Sequence, residues 1–174
     1  MVNLLKILIT YFSQTGNTEK VAKSIYEGCQ GEDVELKPIK EVDPSDLKNY
    51  DLVFLGSGIY ASRVNKSLAD LVAAAQDLPP KFVFFNTHAS KEAYQDGFKV
   101  VKSKIGQSSQ IIDEFDCCGD NIGVPEAIRK SMLDRLPEDK RKEAEAHQEW
   151  LKGRPNEEDL QNARIFAQSV IKKL

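Results

Sequence analysis

Apolar and polar positions along this 174-residue chain switch repeatedly between two patterns. Residues 4–12, 51–57 and 81–87 form nearly continuous apolar runs, as strands buried on both faces of a parallel sheet do. Residues 34–39 instead alternate apolar and charged side chains, and Pro38 fits a strand at the sheet edge. Residues 110–115 read as a fifth strand. Between these runs the apolar positions fall at helical spacing. Val21, Ala22 and Ile25 mark one stripe. Leu68, Leu71, Val72 and Ala75 mark a second, stopped by Pro79 and Pro80. Phe98, Val101 and Ile105 mark a third, ended by Gly106. A closing stripe carries Leu160, Ala163, Ala167, Val170, Ile171 and Leu174, with carboxylates in residues 156–159 at its positive end. Five strands alternating with helices predict an α/β fold: a three-layer, doubly wound, five-stranded parallel sheet in the order 2-1-3-4-5. The expectation is a single domain over residues 1–174.

Ligands of such sheets bind beyond the carboxyl ends of the strands, where the strand order reverses. That rule brings together three loops: 13–18, 57–64 and 87–96. The first reads Ser13-Gln14-Thr15-Gly16-Asn17-Thr18 and opens directly into a helix. Free N–H groups and a partial positive charge at that helix end make an anion site, joined by the hydroxyls of Ser13, Thr15 and Thr18. No Lys or Arg lies within the loop. It lacks the G-x-x-x-x-G-K-[ST] pattern that grips a β/γ-phosphate, and the G-x-G-x-x-G pattern that lets a pyrophosphate approach. A terminal monophosphate held by neutral donors fits best; a polar strand-to-helix turn without ligand is the plain alternative.

These six residues match the [ST]-x-T-G-x-T phosphate loop of flavodoxins, and the flanking Tyr11-Phe12 and Glu19-Lys20-Val21-Ala22 resemble that family too. The resemblance implies FMN, held by its 5′-phosphate. It also implies flavin contacts from the second loop, Ser57-Gly58-Ile59-Tyr60-Ala61-Ser62, with Tyr60 stacked on one ring face. From the third loop it implies backbone contacts by Thr87, His88 and Ala89, with Tyr94 as a second aromatic. Many flavodoxins carry glycine where this chain has Ala61. A peptide there turns over to bond the one-electron-reduced flavin, so Ala61 predicts a weaker preference for that state. Arg63 is a candidate to offset charge on a reduced flavin. His88 is read as a backbone contributor with its ring toward solvent; a general acid is the alternative.

Residues 117–155 exceed the minimal fold. Pro125 with Ile128, Met132, Leu133 and Leu136 predicts a short amphipathic helix. Residues 138–152 are dense in charge and read as a solvated helix; a lid or subunit contact through Trp150 is the alternative, and would give a homodimer. Cys117 and Cys118 are adjacent, a poor geometry for a shared metal or disulfide, and are read as packing residues rather than redox thiols. With Cys29 they make three, no even framework, which points to a reducing cytoplasm. The net charge of −3 argues against nucleic acid as a partner. The short apolar start is not a signal peptide, and no apolar run is long enough to span a membrane. The resemblance thus implies a low-potential electron carrier between redox partner proteins. The alternatives are an FMN-dependent oxidoreductase, a quinone or flavin reductase or a protoporphyrinogen-oxidase-like enzyme, and, third, a flavin-free interaction module.

Overall fold

The structure, a computed structural model, describes residues 2–174. The chain runs β1 (Lys6–Phe12), α1 (Asn17–Gly28), β2 (Asp33–Pro38), β3 (Leu52–Tyr60), β4 (Arg63–Val64), α2 (Lys66–Ala74), β5 (Lys81–His88), α3 (Lys99–Ile105), β6 (Gln110–Cys118), α4 (Glu126–Asp134), α5 (Glu138–Leu151) and α6 (Glu157–Lys172). The main sheet is parallel, in the order β2-β1-β3-β5-β6. This is the order expected for five strands, with β2 and its Pro38 at an edge. The two-residue β4 is an addition: it folds back antiparallel on β3, pairing Tyr60 with Arg63. Its turn residues are Ala61 and Ser62, which carry none of the Asn-Gly or Asp-Gly signal that marks such hairpins.

The apolar strands are continuous because both sheet faces are covered. In β1, Ile7, Ile9 and Tyr11 face a core shared with α1 and α6, which includes Val21, Ile25, Ala163 and Val170. Leu8 points the other way, into a core with Leu68, Leu71, Phe98 and Val101 from the α2–α3 side. Phe54, Phe82, Phe84 and Phe85 are fully buried; each contributes ~1.5–3 kcal/mol relative to exposure. α1 and α6 approach closely at Gly28, where an added Cβ would lie 2.5 Å from the Arg164 carbonyl oxygen.

β6 runs further than the sequence pattern indicates. It pairs with β5 through Thr87–Cys117 and His88–Cys118, so both cysteines belong to the strand. Ladder bonding to β5 carries the strand past the end of its apolar run. The 117–155 stretch then supplies α4 and α5. The described residues include no helix long and apolar enough to cross a membrane.

Candidate functional site

The carboxyl ends of β1, β3, β5 and β6 enclose a cleft at the reversal of strand order. Its wall includes Gln14, Thr15, Asn17 and Thr18, then Gly58, Ile59 and Tyr60, then Thr87, His88 and Ala89. The three loops singled out in the sequence do converge. Gly16 has φ 94°, in the left-handed region that favours glycine, and nothing lies within 4 Å of where a Cβ would stand. Ser13 has a different place from its neighbours. Its Oγ accepts from the Gly16 N–H (3.1 Å) and the Glu19 N–H (3.3 Å), bracing the loop from within. Thr18 and Thr87 share a buried hydroxyl–hydroxyl bond of 2.8 Å, tying the first loop to the third.

Ser57 is likewise a brace. It is buried, donates to the Gly58 carbonyl (2.7 Å) and accepts from the Asn65 N–H (3.0 Å). Tyr60 folds back over Gly58, where an added Cβ would lie 2.8 Å from its hydroxyl. Its ring meets Phe12 edge-on at 5.9 Å. Burial pushes the Tyr60 hydroxyl above the ordinary tyrosine range, while the facing Gln14 backbone N–H pulls it down. Ala61 and Ser62 form the exposed hairpin tip beyond the cleft wall, both with positive φ, 47° and 66°.

His88 differs most from expectation. It is buried rather than turned to solvent. Nδ1 lies 2.6 Å from the Ser90 carbonyl oxygen and Nε2 lies 2.9 Å from Asp116 Oδ2. A carbonyl only accepts, so Nδ1 donates to Ser90, while the bond between Nε2 and Asp116 can run in either direction. Tyr94 is stacked on this ring, centroids 3.7 Å apart and planes 8° from parallel. Tyr94 therefore stands behind His88, outside the cleft wall, beside the neighbouring cavity. Asp116, with burial second, raises its hydroxyl pKa.

The segment Cys117-Cys118-Gly119-Asp120 follows the fifth strand and so opens at the same carboxyl edge, but sequence reasoning named none of the loop after it as a wall of the site. The loop after β6 adds Gly119, Asp120, Asn121, Gly123 and Val124. Asn17 Nδ2 donates to the Asp120 carbonyl (2.8 Å), and Gly119 and Gly123 let this loop lie against Asn17 and Thr15. The two glycines were the available signal. α5 is also more than a solvated helix. His147 Nε2 donates to the Ala89 carbonyl (2.7 Å), and Glu143 pairs with Lys91 at 3.2 Å. Cys29 and Cys117 are buried, and all three thiols are free. Burial pushes the Cys29 pKa up to about 12 and also raises that of Cys117. These are packing thiols, not thiolates. Among the described residues no cluster of His, Cys, Asp or Glu could hold a metal.

A cleft at the switch point of a parallel sheet, beside an uncharged loop at a helix N-terminus, defines a doubly wound α/β protein. The chain belongs to the flavodoxin family: the flavodoxin domain profile matches residues 8–168. It is 30% identical to the flavodoxin-like domain-containing protein BilS of Clostridioides difficile, over 97% of this chain and 98% of that protein. Among solved structures, flavodoxin 2 of Bacillus cereus superposes with a TM-score of 0.65 at 18% identity, covering 97% of this chain and 99% of that one. A Lactobacillus acidophilus flavoprotein in complex with FMN gives 0.54 at 18% identity, over 64% of this chain and 93% of that one.

Proposed function

We propose that this protein is an FMN-containing, low-potential electron carrier. One observation carries the reading: α1 opens through a loop of uncharged donors into the switch-point cleft. The residues present fit the group. Gln14, Thr15, Asn17 and Thr18 offer N–H, amide and hydroxyl donors, and the open space at Gly16 leaves room for a phosphate. These residues would hold the 5′-phosphate, with Ser13 keeping the loop in shape. Tyr60 with the Ala61–Ser62 tip, and Thr87, His88 and Ala89 opposite, would flank the ring system. Ser57 fixes the hairpin that carries Tyr60, and Tyr94 backs His88. FMN, when bound, supplies reversible one- and two-electron redox chemistry. The protein sets the field around it. No Lys or Arg is among the residues forming the cleft wall, so added negative charge on the ring is uncompensated there, which lowers the potential.

Redox partner proteins would meet the exposed flavin edge, and the net charge of −3 suits a basic patch on them. Three free thiols suit a reducing cytoplasm. Exposed Ile128 and Met132 on α4 and Trp150 on α5 support a homodimer through the 117–155 stretch. The test is a titration of flavin-free protein with FMN and with riboflavin. FMN fluorescence should be quenched at one equivalent, and riboflavin, lacking the phosphate, should bind at least tenfold more weakly. Equal affinities, or no saturation, would overturn the reading. A redox titration of the FMN-bound protein then checks the low potential.

A second reading, an FMN-dependent quinone or flavin reductase or a protoporphyrinogen-oxidase-like enzyme, is favoured by one feature. A cavity lies between His88 and α5, beside the cleft. Steady NAD(P)H turnover with a quinone would select this reading over a carrier.

A further inference from the structure

Three consecutive carbonyls at the end of β5 are each held by a different part of the molecule. The His88 carbonyl takes the last ladder bond, from the Gly119 N–H at 2.9 Å. The Ser90 carbonyl accepts from His88 Nδ1 at 2.6 Å. The Ala89 carbonyl between them lies past the end of the β5–β6 ladder. Its donor comes from α5: His147 Nε2, at 2.7 Å. The N–H groups of Ala89 and Ser90, by contrast, donate to no backbone carbonyl among the described residues. α5 is built to deliver this bond. Glu143, His147 and Leu151 stand four residues apart and share one helix face. On that face Glu143 pairs with Lys91, His147 bonds Ala89, and Leu151 is buried.

We propose that His147 is a positioning residue for the ligand cleft: it holds the Ala89–Ser90 peptide in the orientation that keeps the Ser90 N–H free for a bound flavin ring. A trans peptide points its C=O and N–H in opposite directions. With the carbonyl committed to α5, the Ser90 N–H points away from α5, and Ala89 itself lines the cleft. Without His147 the carbonyl loses its partner, and the peptide is free to turn over and put an oxygen where the N–H stood. A flavin ring carries carbonyl acceptors, so that exchange replaces a hydrogen bond with two opposed oxygens. Reduction adds negative charge to the ring, so the donor matters more for reduced than for oxidised flavin. The role toward flavin rests on the FMN reading above; the hold of α5 on the loop does not.

The experiment compares three variants of the full chain. His147→Ala removes both donor and ring, in a residue that favours helix. His147→Phe keeps a ring against Trp150, which stacks on His147 at 5.9 Å, but has no donor. His147→Gln has no ring but carries an N–H donor at a similar reach. FMN dissociation constants, read by fluorescence quenching, should rise roughly three- to tenfold in the Ala and Phe variants and return to about the parent value in Gln. The midpoint potential of bound FMN should become more negative in Ala and Phe and recover in Gln. In flavin-free protein, amide hydrogen exchange over residues 89–97 should quicken in Ala and Phe only. Parent-like affinity and potential in His147→Ala, or rescue by Phe and not by Gln, would overturn the proposal; the second result would assign the effect to packing on Trp150. Should the Phe variant misfold, the Ala and Gln pair decides. A parent that binds no FMN, with exchange quickened as described, defeats the FMN reading and leaves His147 as the loop's positioning residue. A parent that binds FMN, with all three variants binding it equally well, defeats the His147 proposal alone.

Discussion

The hairpin at Ala61 and Ser62 offers a sharp test of local backbone energetics. β3 and β4 pair Tyr60 with Arg63, leaving two residues to turn the chain, both with positive φ (47° and 66°). A two-residue hairpin of this type requires the left-handed region at both central positions. An L-residue held there costs roughly 1–2 kcal/mol. Ala61 is exposed, so its methyl group adds no burial to offset that cost. Ala61→Gly removes the strain but gives the unfolded chain more freedom, a penalty of roughly 0.5–1 kcal/mol. The net expectation is a stabilisation of about 0.5–1 kcal/mol. For a chain of this length that raises Tm by about 1–4 °C. Thermal melts followed by circular dichroism on flavin-free protein are the assay, with Ala61→Val as the opposite arm, expected to lower Tm. An unchanged or lower Tm for Ala61→Gly would refute the assignment of strain to this turn. With FMN bound, the same variant should raise the share of one-electron-reduced flavin in a redox titration.

Three further predictions follow from packing, burial and capping. Gly56→Ala would place a Cβ 2.1 Å from the Phe85 ring, so it should cost about 1–3 kcal/mol by urea unfolding. In a Phe85→Leu background the cost should largely disappear; full additivity would mean that the ring is not the obstacle. Burial raises the Cys29 pKa from 9.0 to about 12. Below pH 9 the thiol is neutral in both states and contributes no slope. Between pH 9 and about 12 the unfolded chain ionises first, so stability falls by about 1.4 kcal/mol per pH unit. Cys29→Ala should remove that part of the slope, and identical slopes for the two proteins would contradict it. At α6, Asn156 Oδ1 accepts from the Asp159 N–H (3.1 Å) and Asp159 Oδ2 from the Asn156 N–H (2.9 Å). Asn156→Ala should therefore cost about 1 kcal/mol in chemical denaturation, and a loss below a few tenths would show that Asp159 caps the helix alone.

What was legible in the sequence depended on whether the signal was local. Strand and helix identity came from periodicity, which reports burial on one face or two, and the parallel sheet follows from it. The convergence of the loops at 13–18, 57–64 and 87–96 came from topology alone. Individual side chains were less legible, because their roles depend on partners distant in the chain. Ser13 and Thr18 are alike as hydroxyls, yet Ser13 bonds N–H groups of its own loop and Thr18 bonds Thr87. His88 looked solvent-facing because its partner, Asp116, lies on β6, 28 residues away. α5 looked solvated because charge density marks exposure, and most of the helix is exposed. The few contacts that matter, at Glu143 and His147, are themselves polar, so hydropathy could not separate them from the solvated face. The same reason explains why the cavity beside His88 left no trace in the pattern. Its walls are aromatic and polar groups contributed by β5 and the loop after it, β6 and α5, and only the packed fold brings them together.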